Sequence, residues 1–395
     1  MPRTPAARTA TALAVVVAAA VLLPLCARAV STRWSDDSLW SNALRSVGGV
    51  DVPFDLAVFL RAADDIRAGE SPYVDPETVE EGSAPYVYPP LLAVVLVPAT
   101  ALPDDVRGSA PVAVLFSLVL VSCLVGALVA LDVRDWRCYP VALLYPPTLE
   151  NLEYGAIGPI LALLVALGWR YRDLVAGTAS AVGVAVVLKV FLWPVVVWLA
   201  LTRRWRAALA SVGIAAGLTV ASWAVIGLRG LTEYPTLLRS LSDLEAEQSY
   251  SALAVLTAAG VPSSAARALV IAGAAVLLAF AWRAARGRPA DPESSDRRSL
   301  TLALAAGFVL TPILWLHYLV LLVVPIGLAR PRLSALWFIP LTFTVFELLD
   351  WYRGWPRGDG KALVSVALVV GLVFVASLRT RERPDQATRG APARA

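Results

Sequence analysis

A few ionisable and aromatic residues stand where an apolar chain has little reason to keep them. Asp55 lies in Asp51-Val52-Pro53-Phe54-Asp55-Leu56-Ala57-Val58-Phe59-Leu60. Pro53 suits the first position of a helix, and Phe54, Ala57, Val58 and Ile66 recur at helical spacing. The pattern predicts an amphipathic helix at a membrane surface, with Asp51 as its cap and Asp55 in its first turn. Two readings stand for Asp55: a carboxylate complementing the helix dipole, or a general base at the water–lipid boundary. Lys189 is isolated in the apolar run from Val184 to Pro194, with no acid beside it in sequence. Such a residue marks a wet cavity or a binding site, suited to an anionic phosphate, or else it snorkels to an interface. His317 is the only histidine, in Thr311-Pro312-Ile313-Leu314-Trp315-Leu316-His317-Tyr318. It is either a packed core residue or a site residue, and one histidine excludes a multi-histidine metal centre.

Three further segments belong with these. Tyr86-Val87-Tyr88-Pro89-Pro90 opens a helix, its prolines in the first turn and its tyrosines at interface depth, where an aromatic belt is the alternative to a site. Asn151-Leu152-Glu153-Tyr154-Gly155 follows Glu150 and places an amide and two carboxylates near the membrane, as a polar loop or as part of a site. Glu347, Asp350 and Arg353 read as an interfacial ion pair. No serine–histidine–acid triad and no metal cluster can be assembled. Asp36-Asp37 and Asp64-Asp65 are adjacent acidic pairs that could be argued for a metal.

The elements that must hold these residues are membrane helices. Of 395 residues, 58% are hydrophobic and 16% charged, and mean hydropathy is +0.68. A soluble domain carries about 25% charged residues. This excludes an ordinary cytoplasmic enzyme, a disordered regulator and a disulfide scaffold. At about 30 residues per span and connection, the length allows roughly 10–13 helices. The net charge of +4 gives no reason to expect a nucleic-acid partner. Residues 31–88 hold eleven acidic residues against four arginines, whereas Arg203 to Arg206, Arg283 to Arg298 and Arg379 to Arg394 are net basic. Basic loops stay inside, so the acidic segment is predicted outside. Cys26, Cys123 and Cys138 have neither metal-ligand nor disulfide spacing.

The resulting expectation is an all-α polytopic membrane protein of about 12 transmembrane helices, with both termini cytoplasmic. Residues 1–30 form the first transmembrane helix, although Ala27-Arg28-Ala29 resembles a signal cleavage site. Residues 31–87 form a large extracytoplasmic loop with an interfacial helix, and 88–227 a transmembrane core. A second extracytoplasmic loop spans 228–251, C-terminal transmembrane helices 252–378, and a basic cytoplasmic tail 379–395. Within the core, crossings are predicted at 88–103 and 108–131, then 155–169, 174–188, 190–201 and 207–227. Residues 139–150, short and proline-rich, are predicted to dip into the outer face. Further helices are predicted at 262–283, 300–314, 317–329, 334–350 and 362–378, with 302–329 crossing once or twice. The 283–298 loop is expected to be flexible. There is no internal repeat and no nucleotide-binding glycine loop.

The order of these motifs resembles glycosyltransferase family 87. The resemblance runs through Asp55, Phe59, Ala63, Gly69 and Pro72-Tyr73, then Tyr88-Pro89-Pro90, the Asn151 to Gly158 turn and Lys189-Val190-Phe191-Leu192-Trp193-Pro194. It continues through Arg203-Arg204-Trp205-Arg206, Glu247-Gln248-Ser249-Tyr250-Ser251 and the His317 segment, covering about residues 50–330. It implies a GT-C fold and an actinobacterial enzyme at the outer face of the plasma membrane. Such relatives move a sugar from a polyprenyl-phosphate carrier to a glycolipid or cell-envelope glycan, and include phosphatidylinositol-mannoside mannosyltransferases. Asp55 matches the family's catalytic acid position. Tyr88, Asn151, Lys189, Gln248 and His317 become candidates for donor or acceptor binding. Two departures are visible: the family's Gly-Gln pair reads Glu153-Tyr154-Gly155 here, and its paired histidines reduce to His317-Tyr318.

The implied chemistry needs no cofactor and, on this reading, no metal. A base takes the acceptor hydroxyl's proton as that oxygen attacks the anomeric carbon, with inversion, and a cation stabilises the departing phosphate. Mannose is the expected sugar. An arabinofuranosyltransferase of the same fold, a lipid-linked sugar transporter and a structural subunit of an envelope-synthesis complex are the alternatives.

Overall fold

A computed structural model of the chain describes residues 52–73, 85–107, 110–244, 249–287, 292–344 and 360–378. The predicted first transmembrane helix, most of the first loop, the 347–353 ion pair and the basic tail lie outside these residues. Every regular element among the described residues is helical.

Helix α1 (Phe54–Ala68) starts after Pro53, carries Asp55 in its first turn and Arg67 in its last, and ends at Gly69 with φ +80°. Helix α2 (Leu91–Leu96) continues as a 3-10 turn over Val97–Ala101. The sequence predicts a crossing here, at 88–103. In the structure this segment is a short apolar helix packed against α1: the Tyr88 ring meets Phe59 at 5.0 Å, and Arg67 donates to the Thr100 carbonyl at 2.6 Å. Eleven residues rise about 16 Å, half of a ~30 Å hydrocarbon layer, and Pro98 removes an amide donor from the helical ladder. Hydropathy alone could not separate such a piece from a span.

Helix α3 (Ala110–Ala130) therefore begins beside α1, where Arg107 pairs with Asp64, and runs to the opposite, basal end of the bundle. There Arg134 N–H donates to Pro331 O at 2.8 Å, and Leu333 N–H to Asp135 Oδ2 at 3.2 Å. Helices α4 (Cys138–Leu143) and α5 (Pro146–Tyr154) climb from that base toward α1. Residues 139–150, predicted to dip, form these two short helices leading to the α5–α6 turn. Helix α6 (Gly158–Arg170) returns, bent 119° from α5.

Helices α7 (Val175–Leu188) and α8 (Pro194–Leu201) form a hairpin with Lys189 at its tip. Helix α9 (Trp205–Ile226) rises from Arg204. Helix α10 (Arg229–Leu244) occupies most of the predicted second loop; its low hydropathy and internal Pro235 hid it. Helix α11 (Ala252–Ala258) is capped by Ser251, whose hydroxyl accepts from Ala254 N–H at 3.1 Å. Helix α12 (Ser263–Arg286) descends, and α13 (Pro292–Leu310) climbs again. The start of α13 falls in the loop predicted to be flexible. It is ordered by Asp296, which accepts from Arg204 at 2.7 Å and lies 3.5 Å from Arg172.

After the break at Thr311–Trp315, a 3-10 stretch (Leu316–Leu322) leads into α14 (Val323–Ala329), which returns to the base where Arg297 bonds Leu328 O at 3.2 Å. The 302–329 stretch therefore makes two legs. A 3-10 stretch at Ala335–Leu341 and helix α15 (Gly360–Leu378) complete the described chain. Among the described residues, Pro111–Ala130, Trp205–Ile226 and Ser263–Arg286 are long and apolar enough to cross a membrane alone, and the bent α5–α6 pair has the make-up of a broken span or a re-entrant loop.

Candidate active site

Three interruptions of helix meet at the end of the bundle opposite the base: Gly155–Ile157, Lys189 and Thr311–Trp315. Broken backbone at such a place survives because protein covers it and its polar groups find partners. The partners here are specific. Asn151 is fully buried. Its Nδ2 donates to Pro147 O and His317 O, each at 2.6 Å, and its Oδ1 accepts from Gly158 N–H at 2.9 Å. One amide thus ties the α5–α6 turn to a residue 166 positions later. Ser249 Oγ accepts from Leu314 N–H at 2.9 Å, and Tyr250 N–H donates to Leu314 O at 2.8 Å, stitching the third break to the segment before α11.

Gly155 brings α1 into this assembly. It ends α5 at φ +71°, and a Cβ there would stand 2.8 Å from Pro53 Cβ and 3.1 Å from Leu56 Cβ. Only glycine allows both the left-handed backbone and the contact. The first turn of α1, with Asp55, is thereby held over the breaks.

Lys189 ends α7 in extended conformation, φ −148°. Its side chain is nine-tenths buried. The ammonium lies 3.6 Å from the Tyr88 ring centre and 4.4 Å from that of Tyr318, and it donates to the Tyr318 hydroxyl. Two ring faces at these distances stabilise a desolvated cation. Phe191 stacks on Tyr318 at 5.9 Å. The chain has only two lysines, Lys189 and Lys361, among 34 basic residues. At this position it keeps the compact ammonium rather than a planar guanidinium.

Asp55 faces this cation closely enough for each to feel the other's charge. It is half-buried. Burial pushes its pKa up to about 7, with Lys189 pulling in the opposite direction. A carboxyl poised there can take a proton near neutral pH. His317 packs edge-on against Tyr318 at 4.6 Å. Its Nδ1 stands 3.9 Å from Glu150 Oε2, and its Nε2 is buried without a hydrogen-bond partner. Among the described residues no group of three or more His, Cys, Asp or Glu could hold a metal ion.

Of the residues singled out in the sequence, Asp55, Tyr88, Lys189 and His317 come together. Asn151 lies beneath them with both amide protons committed to backbone carbonyls. Gln248 lies outside the described residues. Glu150, one of the two carboxylates noted in the sequence, lies beside His317, and Tyr318 is the addition. Tyr318 follows His317 in the quoted motif, and its signal is that an aromatic beside the break can cover the cation.

The family model of glycosyltransferase family 87 matches residues 86–312, more than half of the sequence. The match includes Tyr88, Asn151 and Lys189, whereas Asp55 and His317 lie outside it. No curated protein and no solved structure matches the chain. The chain belongs to glycosyltransferase family 87 and is a membrane glycosyltransferase.

Proposed function

We propose that the protein moves mannose from a polyprenyl-phosphate carrier to a glycolipid or cell-envelope glycan on the outer face of the plasma membrane. Asp55 is the general base and Lys189 the cation for the leaving phosphate. The observation that carries this reading is a partly accessible carboxyl within electrostatic range of a caged ammonium, contributed by two segments 134 positions apart.

The reaction follows from that pairing. An acceptor hydroxyl hydrogen-bonded to Asp55 attacks the anomeric carbon from the side opposite the phosphate. Its proton passes to the carboxylate as the new C–O bond forms, and the old bond to the phosphate oxygen breaks with its electron pair on that oxygen. One displacement inverts the anomeric centre. Phosphate charge grows as the bond breaks, and a fixed ammonium stabilises it without reorganisation. Tyr88, Tyr318 and His317 line the reacting groups, and Asn151 positions His317 by holding its carbonyl. Gln248 remains a candidate for donor or acceptor binding on the family resemblance.

The test is a donor series with purified protein and extracted membrane glycolipids. Mannose transfer from polyprenyl-phosphate-mannose supports the reading. Transfer only from an arabinofuranosyl donor replaces the sugar. Counterflow of a lipid-linked sugar without any new glycosidic bond replaces the enzyme with a transporter.

A further inference from the structure

Three tyrosines from three segments donate to three consecutive backbone carbonyls. Tyr234 of α10 bonds Val87 O at 2.9 Å, Tyr73 bonds Tyr88 O at 2.9 Å, and Tyr86 bonds Pro89 O at 2.8 Å. Tyr86 also accepts from Ala93 N–H at 3.3 Å, which anchors the start of α2. The residue at the centre of this run is Tyr88, whose ring covers the Lys189 ammonium.

The rings hold one another as well. Tyr73 stacks on Trp223 at 5.3 Å and 17°, and Tyr234 lies 5.4 Å from Tyr73 and 5.5 Å from Trp223. Gly230 makes room for this, since a Cβ there would stand 2.3 Å from the fully enclosed Trp223 ring. Helix α10 is thus seated on α9 and reaches the 87–89 backbone through one phenol. Prolines at 89 and 90 have no N–H to donate. The segment gains its order from what its carbonyls accept.

The geometry points to a three-phenol clamp, in which Tyr73, Tyr86 and Tyr234 position the Tyr88 ring and so set the cage around Lys189. These are positioning residues: their hydroxyls are committed to backbone, and they act on the ammonium through Tyr88. Helix α10, in the predicted second extracytoplasmic loop, is thereby coupled to the cation. The clamp itself does not depend on the proposed transfer reaction, although its consequence for rate does.

The chain's two lysines make the clamp directly measurable. The full-length protein in detergent is exposed briefly to a water-soluble amine-acylating reagent, and the ratio of Lys189 to Lys361 modification is read by mass spectrometry. Tyr234→Phe and Tyr73→Phe each keep the ring and remove one hydrogen bond. Each should raise the ratio about three- to tenfold. Tyr139→Phe is the control, because it removes the same kind of bond, to Val133 O, at the basal end. It should leave the ratio unchanged.

An unchanged ratio in both clamp variants, or an equal rise in Tyr139→Phe, overturns the clamp. A rate readout separates positioning from general support: Tyr234→Phe should slow transfer by a similar factor in the wild-type background and add nothing in Tyr88→Leu. Additive losses contradict action through Tyr88. If the wild type transfers no sugar while the labelling pattern holds, the functional reading fails and the clamp stands.

Discussion

The ammonium of Lys189 sits 3.6 Å from the centre of the Tyr88 ring, although the two residues lie a hundred positions apart and on different elements. Asp55, on α1 and outside the matched family region, lies within electrostatic range of the same cation. The cation sits at a break between helices, with a carboxyl from the first turn of α1 and the rings of Tyr88 and Tyr318 around it.

Removing the cation is the simplest perturbation. Lys189→Met should lower transfer by about a hundredfold or more, the loss expected when a preorganised charge at a leaving group disappears. Lys189→Arg should recover no more than about a tenth, since a guanidinium spreads its charge over a plane and does not fit the position between the two rings. Steady-state rates at saturating donor check both.

The pH dependence follows from Asp55. Its raised pKa, about 7, leaves it protonated in acid, where it cannot accept a proton. Transfer should fall as pH drops through about 7 and level off above it. For stability the sign is opposite: burial favours the neutral form, so this group's contribution is lost as pH rises through the same value. Asp55→Asn should be at least as stable as wild type above pH 8, which thermal unfolding at two pH values would show.

Gly155→Ala tests how α1 is held. It adds a Cβ at φ +71°, 2.8 Å from Pro53. The left-handed conformation alone costs an alanine about 1–2 kcal/mol, and the clash must move α1. The expected outcome is a lower Tm together with a disproportionate loss of transfer. A lower Tm with full activity would show that α1 tolerates displacement.

Asn151 offers a complementary test at a buried joint. Asn151→Ala leaves the Gly158 N–H and the His317 carbonyl without their partner, at roughly 1–3 kcal/mol for each buried group. Asn151→Asp restores the acceptor but not the donors. The order of stability should be Asn, then Asp, then Ala, measured by unfolding in detergent.

How much of this was legible depended on range. The α1 helix could be read from Pro53 and the apolar spacing after it, and Lys189 from being a lone cation in an apolar run. Asn151 could be located but not interpreted, because its partner, the His317 carbonyl, is 166 residues away. The 88–103 segment has the hydropathy of a span, and only its contacts with Phe59 and at Arg67 show that it lies along α1. Helix α10 has too little hydropathy to resemble a span, yet Tyr234 ties it to Val87. The beginning of α13 reads as a polar, proline-containing loop, and the arginines that order Asp296 come from distant turns.

The most direct test of the account is transfer from polyprenyl-phosphate-mannose to extracted membrane glycolipids, with wild type beside Asp55→Asn at matched expression and matched Tm. The account predicts a new mannosylated product from wild type and none from the variant. Full transfer by Asp55→Asn would contradict the assignment of the base and, with it, the meaning given to the Asp55–Lys189 pair.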